Sequence, residues 1–192
     1  MSPLKLAIII GSTRKGRFGP VPANWFAEHA RRHGGFDVDV VDLLDCSLPV
    51  DIGHHGDDDE HPAVAALGQR LKKADAFVVV TPEYNHSFPA PLKAAIDYYN
   101  AEWNAKPVGF VSYGGMVGGQ RAVEQLRQVF PEVHAITVRD TISFVNYWTL
   151  FDEDGNPKDA EGTSAAAKQL LDQLTWWGNA LRTARNDTPY QP

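Results

Sequence analysis

The feature that most constrains the fold is a regular alternation of short apolar, β-branched runs with stretches of helical periodicity. The runs predict strands at 4–10, 36–41, 76–81, 108–112 and, more weakly, 133–138. The intervening segments repeat apolar residues every three to four positions, as Val64, Leu67 and Leu71 do. Apolar strands joined by amphipathic helices are typical of a parallel sheet covered on both faces. We therefore predict an α/β fold, a doubly wound five-stranded parallel sheet in a three-layer α/β/α sandwich.

Size and charge narrow the class of protein further. A chain of 192 residues is the size of one domain, which we assign to 1–185, with a loose, proline-containing tail at 186–192. The net charge is −6 and no Lys/Arg block is present, so nucleic acid is not an expected partner. No apolar stretch reaches the roughly 18 residues of a membrane span. Cys46 is the single cysteine, which excludes an internal disulfide, and we expect a cytoplasmic protein with no membrane association.

Long loops follow the first, third and fourth predicted strands, at 11–20, 82–89 and 112–119. They are rich in small, polar and turn-forming residues, where an ordinary connection needs only a few residues. In open parallel sheets, ligands bind beyond the carboxyl ends of the strands, near the point where the strand order reverses. These loops are therefore the expected binding site.

The first loop has the composition of an anion site. Its glycines allow close approach of the backbone, Ser12 and Thr13 carry hydroxyls, Arg14 and Arg17 carry charge, and a helix begins directly afterwards. A phosphate is the expected guest. A Walker A loop is excluded because Arg17 follows the second glycine where that motif has Lys and Ser/Thr, and the glycine spacing does not fit the dinucleotide fingerprint. The alternative is a tight turn with solvated charges.

The second and third loops favour a flat ligand. Prolines stiffen the second loop, so that the backbone amides of residues 83–85 can face outward as fixed donors, and Tyr84 can pack on an aromatic ring. In the third loop, Gly114 and Gly115 leave room where a side chain would meet a bound ring. The alternatives are a rigid loop whose aromatic residues fill the core and an ordinary glycine turn.

Taken together, the motifs resemble the NADPH-dependent FMN reductase family, which has a flavodoxin-like fold. The resemblance covers nearly the whole chain, and its most specific element is Pro-Glu-Tyr-Asn after the third strand. The motifs are Gly11-Ser12-Thr13-Arg14, Pro82-Glu83-Tyr84-Asn85-His86-Ser87, Lys93-Ala94-Ala95-Ile96-Asp97 and Ser112-Tyr113-Gly114-Gly115.

The resemblance implies which residues bind FMN. Ser12 and Arg14 are expected to contact the phosphate, residues 82–85 the ring, and the third loop the ring system. Arg17 stands where the family commonly has a small hydroxyl residue, and the Asn usual near Gly19 is missing. The full set of expected cofactor-binding residues is Ser12, Arg14, Arg17, Phe18, Gly19, Pro82, Glu83, Tyr84, Asn85, Ser112, Tyr113, Gly114 and Gly115.

The resemblance also implies an activity. NAD(P)H would pass a hydride to flavin N5 in a ping-pong cycle, and the reduced flavin would then reduce a flavin, quinone, azo compound or metal oxyanion. No side chain need act as a nucleophile, and a backbone amide among residues 83–85 would stabilise negative charge on the reduced flavin. A homodimer or homotetramer is implied, with the site near a subunit boundary. The alternatives are an electron carrier of flavodoxin type, whose phosphate-loop pattern is absent, and a P-loop-like phosphotransferase.

Other polar and aromatic clusters have simpler interpretations. The aromatic segment 141–151 is predicted to form a subunit interface or a flap over the protein's own core. The acidic and histidine-rich segment 54–61 is better explained as a solvated loop than as a metal site, and Asp152-x-Asp154-Gly155 as a turn rather than a calcium loop. We therefore predict no metal ion.

Overall fold

The structure, a computed structural model, describes residues 2–49 and 61–192. In this part of the chain, parallel strands form one sheet in the order β2-β1-β3-β4-β5. The strands are β1 (Leu4–Ile10), β2 (Phe36–Asp42), β3 (Ala76–Pro82), β4 (Pro107–Gly114) and β5 (Ile136–Val145). This order is that of the flavodoxin-like fold and confirms the predicted doubly wound, five-stranded α/β sheet.

Helices cover both faces of the sheet. They are α1 (Pro20–His33), the short α2 (Leu43–Cys46), α3 (Pro62–Lys73), α4 (Ala90–Asp97), α5 (Gln120–Glu132) and α6 (Ala160–Asp187). Alternate residues of β1 point to opposite faces, so Leu6 and Ile8 pack with α1 and α6, whereas Ala7 and Ile9 pack with α3, α4 and α5. The predicted three-layer sandwich is confirmed.

The fifth strand corrects the sequence-based boundaries. Its prediction at 133–138 was wrong, because the amide of Val133 donates to the carbonyl of Phe130 at the end of α5 and the strand begins only at Ile136. The strand then continues to Val145 through polar residues that interrupt the apolar pattern. In the described sheet β5 is an edge strand, so such residues can reach solvent. A register shift opposite Val108 and Phe110 also breaks its regularity.

The remaining segments frame the site. The aromatic segment 141–151 divides into the end of β5 and a 3-10 turn, Tyr147–Thr149. Helix α6 reaches Asp187, so the predicted tail overlaps its last turn. Of the acidic segment, His61 caps α3 by accepting from the amide of Ala63, and residues 54–60 lie outside the described residues. No described helix combines the length and apolar character needed to cross a membrane.

Candidate functional site

Three loops meet at the carboxyl ends of β1, β3 and β4, beside the point where the strand order reverses. The Ser12 and Tyr84 hydroxyls lie 2.7 Å apart and join the first loop to the second, while the Glu83 amide donates to the Tyr113 carbonyl at 3.3 Å and joins the second loop to β4. A pocket of about 330 Å³ lies between the loops. Its lining is Arg14, Lys15, Gly16, Arg17, Phe18, Pro82, Glu83, Tyr84, Tyr113, Gly114, Gly115 and Tyr147.

One end of the pocket is suited to an anion. The side chains of Arg14 and Lys15 are exposed and make no ion pair or hydrogen bond within the described residues. The backbone amides of Thr13, Lys15 and Gly16 also have no acceptor in that part of the chain. Two free cations beside several free N–H groups are what a phosphate monoester requires.

Arg17 has a different role in this structure. Its guanidinium makes two hydrogen bonds to the carboxylate of Asp42, at 2.7 and 2.5 Å, and a third at 3.0 Å to the Ser12 carbonyl. Both side chains are largely buried. The positive charge of Arg17 is thus compensated by Asp42, and the pair fastens the first loop to the end of β2.

Aromatic side chains form the wall next to the first loop. The Phe18 ring packs on Tyr147 and Tyr113, with centroid distances of 4.5 and 5.7 Å. Tyr113 also lines the pocket, but its hydroxyl is buried next to Gly19 at the start of α1. Burial, reinforced by the neighbouring Tyr84 and Tyr147, raises the pKa of this hydroxyl, so it remains a neutral phenol.

The second loop lines the pocket with Pro82, Glu83 and Tyr84. Of the outward amides predicted at 83–85, that of Glu83 is bonded to Tyr113 and that of Tyr84 donates to the Ser87 carbonyl at 2.8 Å. Only the Asn85 amide, at the exposed tip of the loop, has no acceptor within the described residues. Of the three predicted backbone donors, only the Asn85 amide therefore remains available to a ligand.

The third loop contributes open space. Around a side chain added at Gly115, the nearest atom would be in Trp148, 3.8 Å away, so this part of the rim is wide enough for a flat ligand. Ser112, in contrast, is fully buried, and its hydroxyl donates to the Gly118 carbonyl at 2.8 Å. In this structure Ser112 supports the loop from behind the pocket.

The structure brings most of the predicted residues to one pocket. The exceptions are Ser12, Gly19, Asn85 and Ser112, which do not line it; Ser12 is buried behind the first loop and Gly19 packs at the start of α1. The predicted set lacked Lys15, Gly16 and Tyr147, which also line the pocket. Lys15 lies within the first loop and could have been found from its charge, whereas Tyr147 lies far along the chain and only the fold brings it to Phe18.

Other residues singled out from the sequence lie elsewhere. Cys46 is half-buried, donates to the Asp42 carbonyl at 3.2 Å, and has a pKa raised by burial. Lys93 and Asp97 form an exposed ion pair on α4, which contributes about 0.3 kcal/mol to stability.

FMN fits the residues present. The free cations and amides suit its phosphate, and the open rim at Gly115 admits a planar ring. Free positive charge and aromatic side chains in one pocket match the chemistry of a flavin mononucleotide.

Known proteins are similar to this chain in sequence and in fold. The profile of the NADPH-dependent FMN reductase family matches residues 4–149. An NAD(P)H-dependent FMN reductase of Schizosaccharomyces pombe is 41% identical over 132 residues, 65% of this chain and 64% of that protein. A probable NADPH:quinone oxidoreductase of Oryza sativa is 33% identical over 96% of this chain and 95% of that protein.

A solved structure supports the fold independently. The flavoenzyme NAD(P)H:(acceptor) oxidoreductase of Paracoccus denitrificans has a TM-score of 0.73 over 92% of this chain and 98% of that chain, at 23% identity. The family profile spans well over half of the sequence, and the full-length relative exceeds 30% identity. The chain belongs to the NADPH-dependent FMN reductase family.

Proposed function

We propose that the three-loop pocket binds FMN and that the protein transfers reducing equivalents from NAD(P)H to a small acceptor, a quinone or a free flavin. Family membership makes the chain an oxidoreductase that uses FMN and NAD(P)H. The observation that carries the assignment to this pocket is its composition, in which free cations of the first loop combine with proline, tyrosine and glycine of the second and third loops. The choice of acceptor follows the names of the relatives, which are FMN and quinone reductases.

The first loop would hold the phosphate. Arg14 and Lys15 would supply charge, and the free amides of Thr13, Lys15 and Gly16 would donate hydrogen bonds to its oxygens. Arg17, paired with Asp42, would fix the shape of the loop before the ligand arrives. A loop shaped in advance lowers the ordering cost of binding.

The second and third loops would hold the ring. When bound, FMN supplies the redox chemistry, and the protein's contribution is to orient the ring, donate hydrogen bonds and limit access of water. Pro82, Tyr84 and Gly115 would border the ring, and the Asn85 amide would donate to a polar atom on its edge. The predicted contacts from Ser12 and Ser112 would act indirectly, by holding Tyr84 and the third loop in place.

Anaerobic mixing with NADPH tests the proposal against an electron carrier of flavodoxin type. The purified protein is expected to be yellow and to lose its 450-nm band within the turnover time, about 0.1 s for a typical enzyme. Addition of a quinone should then restore the band. A protein that stays yellow with NADPH but accepts electrons from dithionite would be a carrier, and a protein that binds no FMN would refute the proposal.

Assembly and location are further parts of the proposal. A homodimer or homotetramer, with the pocket close to a subunit boundary, is supported by the exposed side chains of Met116 and Trp148 beside the third loop. A cytoplasmic location stays a prediction from the single cysteine.

A further inference from the structure

The turn at residues 83–87 has a backbone conformation that suits only one of its two central residues. Tyr84 and Ser87 exchange backbone hydrogen bonds of 2.8 and 3.0 Å, which leaves Asn85 and His86 as the two central residues of a tight hairpin turn. Both have positive φ, 51° and 68°, as in a type I′ turn. Asn tolerates this conformation, but the second central position favours Gly, and a His there costs free energy. The turn therefore needs support from outside itself.

Helix α5 supplies that support at His86. The Gln125 side-chain amide donates to the His86 carbonyl at 2.8 Å, and its oxygen accepts from the Ser87 hydroxyl at 2.6 Å. One helical turn earlier, Arg121 contacts the His86 ring at Nε2, 2.5 Å away. Because a guanidinium can only donate, this ring nitrogen is the acceptor in the contact. Both the backbone and the ring of His86 are thus held by α5.

Arg121 also holds the start of the turn. Its Nε donates to the Glu83 carboxylate at 2.6 Å, and its backbone amide donates to the same carboxylate at 3.2 Å. The Glu83 side chain is 7% exposed and lines the pocket, so Arg121 compensates a carboxylate charge that would otherwise be buried without a partner. Arg121 therefore contacts the turn at Glu83 and His86, and Gln125 contacts it at His86 and Ser87.

We propose that Arg121 and Gln125 are positioning residues that hold the 83–87 turn in its FMN-binding conformation. This inference rests on the function proposed above. Since α5 begins directly after the third loop, the same helix ties the second and third loops of the pocket together. Without these contacts the turn would leave its left-handed conformation, and binding would have to restore it at a cost in affinity.

The test uses full-length apoprotein and measures the Kd for FMN by quenching of flavin fluorescence. Gln125→Ala and Arg121→Met should each weaken FMN binding by about five- to thirtyfold. This factor follows from the free-energy cost of holding one non-glycine residue in the left-handed conformation. Riboflavin should lose affinity by the same factor, because the turn borders the ring and not the phosphate. Gln128→Ala is the matched control, since the Gln128 side chain is exposed on the same helix and makes no hydrogen bond within the described residues.

Replacement of His86 by Gly distinguishes lost support of the turn from a general loss of stability in the variants. Glycine adopts positive φ without cost, so adding His86→Gly to Gln125→Ala should restore wild-type affinity. Adding it to Arg121→Met should restore affinity in part, because Glu83 still lacks its counter-charge. Wild-type affinity in both single variants, or no recovery with His86→Gly in either background, would overturn the inference. Absence of FMN binding by the wild type would instead refute the proposed function.

Discussion

Arg14, Lys15 and Arg17 lie close together in the sequence, but the structure divides their roles. Asp42 takes the charge of Arg17, while Arg14 and Lys15 remain unpaired within the described residues. The position of Asp42 at the end of β2 decides which of the two arginines is paired. The positive charge still available to a ligand therefore belongs to Arg14 and Lys15.

Removal of either free cation should reveal the phosphate contact. Lys15→Ala and Arg14→Ala should each weaken FMN binding about tenfold or more, as expected for loss of a charge-assisted hydrogen bond, and leave riboflavin binding unchanged. Titration with both flavins measures this difference. Lys93→Ala, an exposed lysine of α4, should change neither affinity. Equal losses for the two flavins would rule out a phosphate contact.

Lys106 gives the stability of the protein a pH dependence. Its side chain is buried and donates to the Leu71 and Lys72 carbonyls, and burial, with Arg185 nearby, lowers its pKa from 10.5 to about 8, against smaller opposite effects of Asp75 and Glu102. Between pH 8 and 10.5 the unfolded chain holds a proton that the folded protein has lost, so stability rises with pH in this window. Below pH 8 the folded protein carries the buried Lys106 charge, and the full cost of burying that charge lowers its stability.

Lys106→Met should remove this rise. Urea unfolding at pH 7.5 and 9.5 should show the wild type gaining stability, by at most roughly 3 kcal/mol across the whole window, while the variant stays flat in comparison. The upper limit of pH 9.5 keeps ordinary tyrosines mostly un-ionised, since their pKa is about 10. A wild type that gains nothing relative to the variant would contradict the lowered pKa.

At the level of elements, the third loop depends on a tight approach between its own two ends. Gly119, which precedes α5, has φ of 87°, and a side chain there would lie 2.7 Å from the Ser112 side chain and 3.0 Å from the Tyr113 amide. The loop therefore folds back onto β4. This return places Gly114 and Gly115 at the rim of the pocket and starts α5 in position to contact the 83–87 turn.

Gly119→Ala should disrupt this return. Backbone strain and steric overlap together should destabilise the protein by about 2–4 kcal/mol in urea unfolding. Gly34→Ala provides the control, because Gly34 at the end of α1 has a similar φ of 78° but open space around it, and strain alone should cost about 1 kcal/mol. Equal losses in the two variants would mean that the close approach does not matter.

At the scale of the whole molecule, the aromatic segment 141–151 packs mainly against its own chain. Phe144 is buried, Tyr147 packs on Phe18, and the Phe151 ring lies 5.1 Å from that of Phe18. The prediction of a flap over the protein's own core thus describes most of the segment. Trp148 differs from the others, with 63% of its surface exposed beside the third loop, and is the part left for a subunit contact.

Trp148→Glu should weaken self-association if the proposed dimer places the pocket at its boundary. Light scattering coupled to gel filtration is expected to show a dimer or tetramer for the wild type, and a lower mass for the variant at the same concentration, because a charge at an interface is unfavourable. Trp176→Glu, on α6 and exposed to 62%, is the matched control. Dissociation by Trp176→Glu alone would place the boundary on α6 instead.

The sequence by itself determined the layers of the fold, the family and the loops that form the site. Short continuous apolar runs and helices of period near 3.6 are local patterns, and Pro82-Glu83-Tyr84-Asn85 is a local motif, so both can be read along the chain. The tertiary structure decided the rest. The pairing of Arg17 with Asp42, the arrival of Tyr147 at Phe18 and the support of His86 by α5 join residues far apart in sequence. Such contacts depend on how the elements pack, and the identity of a residue does not reveal which distant partner will reach it.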